Sequence, residues 1–231
     1  MRAIVRFRAA AVAFLLLSTQ ALAFGLADVS NKDATNGLKE ALVKGSQAAV
    51  AALGKQDGFL GNDRVRIPLP DSLRRIEGMM RTFGMGKYAD ELVTTMNRAA
   101  ESAVIEAKPL LVNAVKNMSV QDAKAVLTGG EDAATQYFKR TTSGPLTEKF
   151  LPIVTKATQK VKLADKYNQF AGKGAKFGLI DAKDADLNNY VTRKALDGLF
   201  LMIAEEEKKI RRDPVGAASG IISKVFGAIG K

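Results

Sequence analysis

The stretch from Leu92 to Phe138 most constrains the fold, because its apolar residues recur at helical spacing on two adjoining stripes. A helix with a face this wide is buried on two sides, and its alanines allow a neighbouring helix to approach closely. Pro109 is predicted to kink or restart the helix, Ser119 to cap a short helix with Asp122, and Gly129 with Gly130 to end it. The two stripes are Leu92, Met96, Ala99, Ala103 and Ala107, and Val93, Asn97, Ala100, Val104 and Leu111.

Helical spacing also dominates the rest of the chain. The patterns predict an all-α fold, a single-domain helical bundle of about seven to nine helices. Asp71 is expected to cap a short helix to about Phe83, Ser143 and Pro145 to start another helix that Pro152 bends, and Asp184 or Asp186 to start the longest one. Residues 172–178 are expected to form a glycine–lysine loop, and residues 214–229 an amphipathic C-terminal helix.

One segment, near residues 54–70, departs from this pattern. Turn-forming residues occupy its first half, and Pro68 and Pro70 exclude a central strand from its second half. The segment is too apolar for a disordered linker. We therefore predict an extended loop whose apolar side chains pack onto the helical body, namely Phe59, Val65, Ile67 and Leu69.

The first 23 residues have the pattern of a cleaved secretory signal. Three arginines precede an apolar run that is shorter than the roughly 20 residues of a membrane span, and Ala21-Leu22-Ala23 matches a cleavage site. We expect a periplasmic mature chain of residues 24–231 whose net charge is +8, since the signal carries three of the charges that make the full chain +11. The chain has no cysteine, so packing alone must stabilise it.

Several chemistries lack the residues that they need. The chain has no histidine and no cysteine, which removes Ser–His–Asp triads, thiol nucleophiles and ordinary zinc sites. Asp184 and Asp186 resemble the start of a calcium-binding loop, but Asn189 and Ala195 occupy the positions of its glycine and glutamate, so helix capping is preferred. We expect no metal, no cofactor and no enzymatic activity. The alternative is a hydrolase or lyase that uses carboxylates alone, with Glu101, Asp122, Glu131 and Asp132 as candidates.

Six residues are candidates for ligand contact or for specific packing: Asn97, Arg98, Glu101, Asp132, Thr135 and Arg211. Asn97 is the most informative, because an unpaired buried amide costs roughly 1–3 kcal/mol. We expect it to form an interhelical hydrogen bond that fixes register, with a ligand contact as the alternative. Arg98 and Glu101 are three residues apart and can pair on the helix surface.

The net positive charge of the chain is relevant to which partners it could bind. We expect a solvated basic surface, with attraction to anionic partners such as lipid headgroups or an acidic polysaccharide as the alternative. Nucleic acid is not expected, because basic and aromatic residues are not interleaved. The C-terminal stretch is expected to dock on the body; binding to an anionic membrane surface through this basic region is the alternative.

Several exact stretches, in the right order from about Ser30 to Phe226, resemble a known family, the bacterial domain-of-unknown-function family 4197. The resemblance implies an exported all-helical protein without assigned activity, and it supplies no catalytic residues. We expect a non-enzymatic protein that binds another envelope protein or a small apolar or anionic ligand. The matching stretches are residues 37–42 (GLKEAL), 57–59 (DGF), 67–70 (IPLP), 96–101 (MNRAAE), 129–138 (GGEDAATQYF), 190–192 (YVT), 205–207 (EEE) and 210–214 (IRRDP).

Overall fold

The computed structural model describes residues 31–178 and 180–213, and within them the fold is all-α, as the sequence predicts. Eight α-helices and one 3-10 turn are present in this part of the chain, and no strand. They are α1 (Asn31–Leu53), α2 (Asp71–Thr82), α3 (Gly86–Val104), α4 (Ala107–Lys116), α5 (Val120–Thr128), α6 (Ala133–Thr158), α7 (Lys162–Lys176), the 3-10 turn (Ala182–Asp184) and α8 (Leu187–Arg212). The predicted signal sequence and the predicted C-terminal helix of residues 214–229 lie outside the described residues.

The core forms where α8 packs against α6, α1 and α3, while α6 also covers α3 and α4. The two predicted stripes of α3 are buried on both sides, and Leu92, Met96 and Val104 have no exposed surface. The helix is interrupted at Ile105 and Glu106, between α3 and α4. Pro109 explains the position of this break, because a proline cannot donate to the carbonyl four residues earlier, which is that of Ile105.

The segment of residues 54–70 has the predicted extended form. It contains turns but no helix or strand, and Phe59, Val65, Ile67 and Leu69 are all buried. Phe59 lies against Gly198 of α8, where an added Cβ would be only 2.7 Å from the phenylalanine ring. A glycine is therefore what allows this segment to approach α8 so closely.

Two predicted helix starts are confirmed and two predictions are wrong. Ser119 forms a capping box with Asp122, and the Asp186 carboxylate accepts a hydrogen bond from the Asn189 amide at 2.9 Å. Asp71, in contrast, is the first residue of α2 rather than its cap. The predicted start at Ser143 is also wrong, because α6 runs unbroken through Pro145 and Pro152.

Tertiary packing explains the continuity of α6. Each proline removes one helical hydrogen bond, but residues on both sides of the prolines are buried against α3 and α8, including Phe138, Leu146 and Phe150. The predicted loop of residues 172–178 is likewise mostly helix, since α7 continues to Lys176 and only Phe177 and Gly178 turn away. Ala171, just before this stretch, is fully buried, and at Gly174 a Cβ would lie 3.0 Å from Ile180, so the stretch packs on the body at these two points.

Candidate functional site

Asn97 is fully buried and binds the extended segment rather than a second helix. Its Oδ1 accepts a hydrogen bond from the Ile67 amide at 2.8 Å, and its Nδ2 donates to the Ile67 carbonyl at 2.9 Å and to the Val93 carbonyl at 2.8 Å. The side chain therefore satisfies both the amide and the carbonyl of Ile67, as the backbone of a neighbouring β-strand would. The prediction of an interhelical hydrogen bond is wrong, because the partner backbone belongs to the segment of residues 54–70.

Glu101 holds the other end of the same segment. Its Oε1 accepts hydrogen bonds from the amides of Phe59 and Leu60, both at 3.1 Å. The second carboxylate oxygen pairs with Arg98 at 2.7 Å, and Arg98 extends to Asp57 at 2.8 Å. The predicted pair of Arg98 and Glu101 therefore exists, but Glu101 is buried and its main role is to bind backbone amides.

A second buried carboxylate, that of Glu207, repeats this arrangement at the start of α6. Its Oε1 accepts from the Ala134 amide at 3.0 Å, and its Oε2 accepts from both the amide and the hydroxyl of Thr135 at 2.9 Å. Arg211, one turn along α8, pairs with Glu207 at 2.8 Å and donates to the Val126 carbonyl at 2.9 Å. The glutamate thus caps the first free amides of α6, where a negative charge is favourable.

Asp132 stands immediately before α6 but does not cap it with its side chain. Its carboxylate accepts instead from the Gln136 side chain at 2.9 Å, on an exposed surface. Three of the six candidates, Asn97, Arg98 and Glu101, therefore anchor the extended segment. Two others, Thr135 and Arg211, meet at Glu207.

Sequence reasoning missed Glu207 and Asp57. Glu207 carried a usable signal, because it precedes Arg211 by four residues, the spacing at which a glutamate and an arginine pair on a helix. Its contact with Ala134 and Thr135 spans more than 70 residues, and no local pattern indicates it. Asp57 lies in the glycine-rich first half of the extended segment and has a positive φ of 62°. No spacing rule identifies it as the partner of Arg98.

The four carboxylates proposed as a catalytic set have separate roles. Glu101 accepts three hydrogen bonds from protein groups, and Asp122 belongs to the cap of α5. The hydrogen bond from the Ser119 hydroxyl, together with nearby Arg140, lowers the pKa of Asp122, so this group stays ionised and is a poor proton donor. Glu131 is exposed on the surface. Glu101 and Asp122 are therefore both engaged in structural contacts.

A groove between α1 and the last turns of α8 has room for a ligand. Its volume is about 540 Å³, and Lys44, Gly45, Ala48, Glu206, Lys209, Ile210, Arg212 and Asp213 line it. Gly45 and Ile210 also line an inner apolar cavity of about 20 Å³, which reaches Glu207 and Arg211. The inner cavity has room for about one water molecule, whereas the groove is of the size that small-molecule sites usually have.

Neither space is lined by Asn97, for which a ligand contact was the alternative prediction. In the part of the chain that the structure describes, no three histidine, cysteine or acidic side chains cluster as metal ligands. None of the helices from α1 to α8 combines the length and the apolar character needed to cross a membrane.

The comparisons with known proteins place the chain in one family. The profile of a family described as protein of unknown function, DUF4197, matches residues 28–227. The chain belongs to this family. No curated protein and no solved structure is significantly similar to it. For this DUF4197 protein, the anchors at Glu101 and Glu207 and the groove beside α8 therefore have to be interpreted from their geometry.

Proposed function

We propose that this DUF4197 protein is an exported, non-enzymatic binding protein of the bacterial envelope, and that the groove between α1 and α8 takes a small apolar ligand with an anionic group. The observation that carries the proposal is the composition of the groove. Gly45, Ala48 and Ile210 give the groove apolar lining, and its three basic side chains, Lys44, Lys209 and Arg212, outnumber the two acidic ones, Glu206 and Asp213. Such a combination of apolar area with a few charged groups is typical of ligand sites.

The neighbouring carboxylates support binding over catalysis. Glu207, which reaches the inner cavity, accepts hydrogen bonds from two backbone amides, one hydroxyl and the Arg211 guanidinium. A carboxylate with its lone pairs occupied in this way is a poor general base, because it would have to lose these contacts to accept a proton. This arrangement of Glu207 therefore supports a binding role over a catalytic one.

Calorimetric titration of the purified protein with dodecanoate, and with dodecanol as its uncharged analogue, tests the proposal. We expect dodecanoate to bind in the micromolar range. Ala48→Trp adds bulk at an exposed position of the groove and should weaken both ligands at least tenfold. Arg212→Glu should weaken dodecanoate selectively, whereas Lys156→Glu, an exposed lysine of α6 outside the groove, should change neither.

Two results would contradict the proposal. One is dodecanoate binding that is absent, or that Ala48→Trp leaves unchanged. The other is binding that occurs only after residues 214–231 are deleted, because the chain continues from Asp213 at the rim of the groove and its own C-terminal residues would then be the occupant.

A further inference from the structure

The surface of α2 and the turn after it is the most apolar exposed area of the described chain. Five of the nine large apolar side chains that are exposed there lie between residues 76 and 88, which shows that they are concentrated and not scattered. Met79 is 60% and Phe83 70% exposed. We name this area the α2 apolar surface; its members are Ile76, Met79, Phe83, Met85 and Tyr88. Concentrated exposed apolar area of this kind usually marks an interaction site.

The exposure follows from how α2 sits on the body. Leu73 and Met80 are buried, so this edge of the helix faces the protein. Ile76, Met79 and Phe83 follow each other at separations of three and four residues, which places them on one neighbouring stripe that points outward. The apolar face of α2 is therefore wider than the area that the body covers.

The helix end and the following turn hold this stripe in place. Gly84 has a φ of 72°, the Gly84 amide donates to the Arg81 carbonyl, and the Met85 amide donates to the Met80 carbonyl at 2.7 Å. These contacts form a Schellman motif, which fixes the direction in which the chain leaves α2. Arg81 pairs with Glu77 within α2 and joins α2 to α3 through its ion pair with Asp90, both at 2.7 Å.

The charges around the α2 apolar surface cancel. Residues 71–91 carry four basic and four acidic side chains, although the full chain has a net charge of +11. Several of these charges already pair within the segment, as Arg74 does with Asp71 at 2.7 Å. An anionic membrane would gain little attraction here. Two copies of a strongly basic protein, in contrast, repel each other least where the local charge is zero.

We propose that the α2 apolar surface is the contact between two copies of this chain, which pair through antiparallel α2 helices about a twofold axis near Met79. The spacing of the stripe makes it self-complementary. Ile76 lies three residues before Met79 and Phe83 four residues after it. An antiparallel partner whose Met79 lies opposite Met79 therefore places its Phe83 within one residue of Ile76. The proposal is independent of the ligand groove, which lies between α1 and α8.

The small size of the surface predicts a weak dimer. A stable interface buries roughly 800 Å² on each partner, and five side chains on a helix and a turn provide less than this. Sedimentation equilibrium from about 1 μM to about 1 mM should therefore show the average mass rising from one chain toward two. Met79→Asp and Phe83→Asp should each raise the dissociation constant at least tenfold. Val120→Asp, at a 69% exposed apolar residue of α5, should leave it unchanged.

The absence of native cysteine provides a direct test of the axis. In the otherwise cysteine-free protein, Met79→Cys should give a disulfide-linked dimer under mild oxidation, because the twofold axis brings the two positions together. Val120→Cys should stay monomeric. Circular dichroism should be the same for all variants, since the changed side chains are exposed.

A protein that remains monomeric up to about 1 mM, or a dimer that both Asp variants leave intact, would overturn the proposal. So would a monomer that binds lipid vesicles through Phe83, because the surface would then serve a membrane. None of these outcomes affects the dodecanoate assay, so self-association and ligand binding fail or succeed separately.

Discussion

Two consecutive segments of this protein reverse the usual relation between regular structure and burial. Residues 54–70 have no helix or strand, yet their apolar side chains are buried and their backbone is tied to the core. Residues 71–88 form a regular helix, a well-defined turn and the start of α3, yet they leave five large apolar side chains exposed. Both segments are rich in apolar residues, so hydrophobicity alone does not explain the difference.

The polar residues of the core explain it. Asn97 and Glu101 are buried on α3 and offer hydrogen bonds to the backbone of the first segment at Ile67, Phe59 and Leu60. An irregular backbone can enter a protein interior only if its amides and carbonyls find partners. A helix satisfies its own backbone, so α2 needs no such partners and touches the body along one edge only. The segment of residues 54–70 is therefore buried because Asn97 and Glu101 bind its backbone, and no such hydrogen bonds are needed to draw α2 further into the protein.

Replacing the Asn97 anchor should have the largest effect. Asn97→Leu keeps the size of the side chain but leaves the amide and carbonyl of Ile67 buried without partners, at roughly 1–3 kcal/mol each. We expect the free energy of unfolding to fall by about 3–5 kcal/mol. The control is Asn113→Leu on the exposed side of α4, which should change it by less than about 0.5 kcal/mol in urea denaturation. Equal effects of the two substitutions would show that the anchor does not hold the segment.

The same substitution should have opposite signs in the two regions. Gly198→Ala places a methyl group 2.7 Å from the fully buried ring of Phe59, and overpacking of this kind costs about 1–3 kcal/mol. Gly78→Ala lies inside α2 with no atom within 4 Å of the new Cβ, so it should stabilise the protein by about 0.5–1 kcal/mol. Thermal unfolding of both variants measures the contrast. Destabilisation at Gly78 would mean that α2 is packed more tightly than its exposure indicates.

The sequence predicted this contrast only in part. Helical spacing located the buried stripes of α3, and the prolines with turn residues correctly indicated an extended, packed segment at residues 54–70. These features are local, so their physical causes can be seen within a few residues. The polar position of Asn97 within an apolar stripe also showed that it must have a partner. Which partner it has depends on the path of Ile67, 30 residues away, and no local pattern contains that path.

The wrong predictions also arise because tertiary contacts are not contained in local sequence patterns. Proline at 145 is a breaker by local propensity, but α6 runs through it because buried neighbours on both sides stabilise the helix. Glycines at 172 and 174 are breakers too, yet α7 continues to Lys176, with Ala171 buried before them and Ile180 close to Gly174. The groove beside α8 was not predicted at all, since α1 and the end of α8 are separated by more than 150 residues. The ligand contact considered for Asn97 is replaced by hydrogen bonds to the backbone of Ile67 and Val93.

Alkaline pH should weaken the attachment of the extended segment. The Tyr190 hydroxyl donates to the Pro68 carbonyl at 3.1 Å, and burial, followed by the charge of Asp184, raises its pKa from 10.0 to about 12. The folded state therefore binds this proton more tightly than the unfolded state does. Its contribution to stability is complete below pH 10 and is lost as the pH rises from 10 to about 12.

Absorbance titration of the tyrosines, with urea denaturation at each pH, measures this effect. Tyr190→Phe should remove the titration near pH 12 and flatten the loss of stability, at a cost of about 1 kcal/mol at neutral pH for the missing hydrogen bond. Arg75→Gln, an exposed change on α2, should leave the pH dependence as it is. A Tyr190 that ionises at pH 10 would show that Pro68 is not held against α8.

The smallest expected effects are those on the exposed side of α2. Phe83→Ser and Met79→Ser remove large side chains that make little contact with the body, so each should change the free energy of unfolding by less than about 0.5 kcal/mol. Phe59→Ser, in the extended segment, is the matched control and should cost several times more, since truncating a buried phenylalanine costs about 3–5 kcal/mol. The measurement must be made at low micromolar protein, where two copies would be dissociated. A loss above about 1 kcal/mol for Phe83→Ser under these conditions would mean that the α2 apolar surface is part of the fold of one chain and is not a surface kept open for a second.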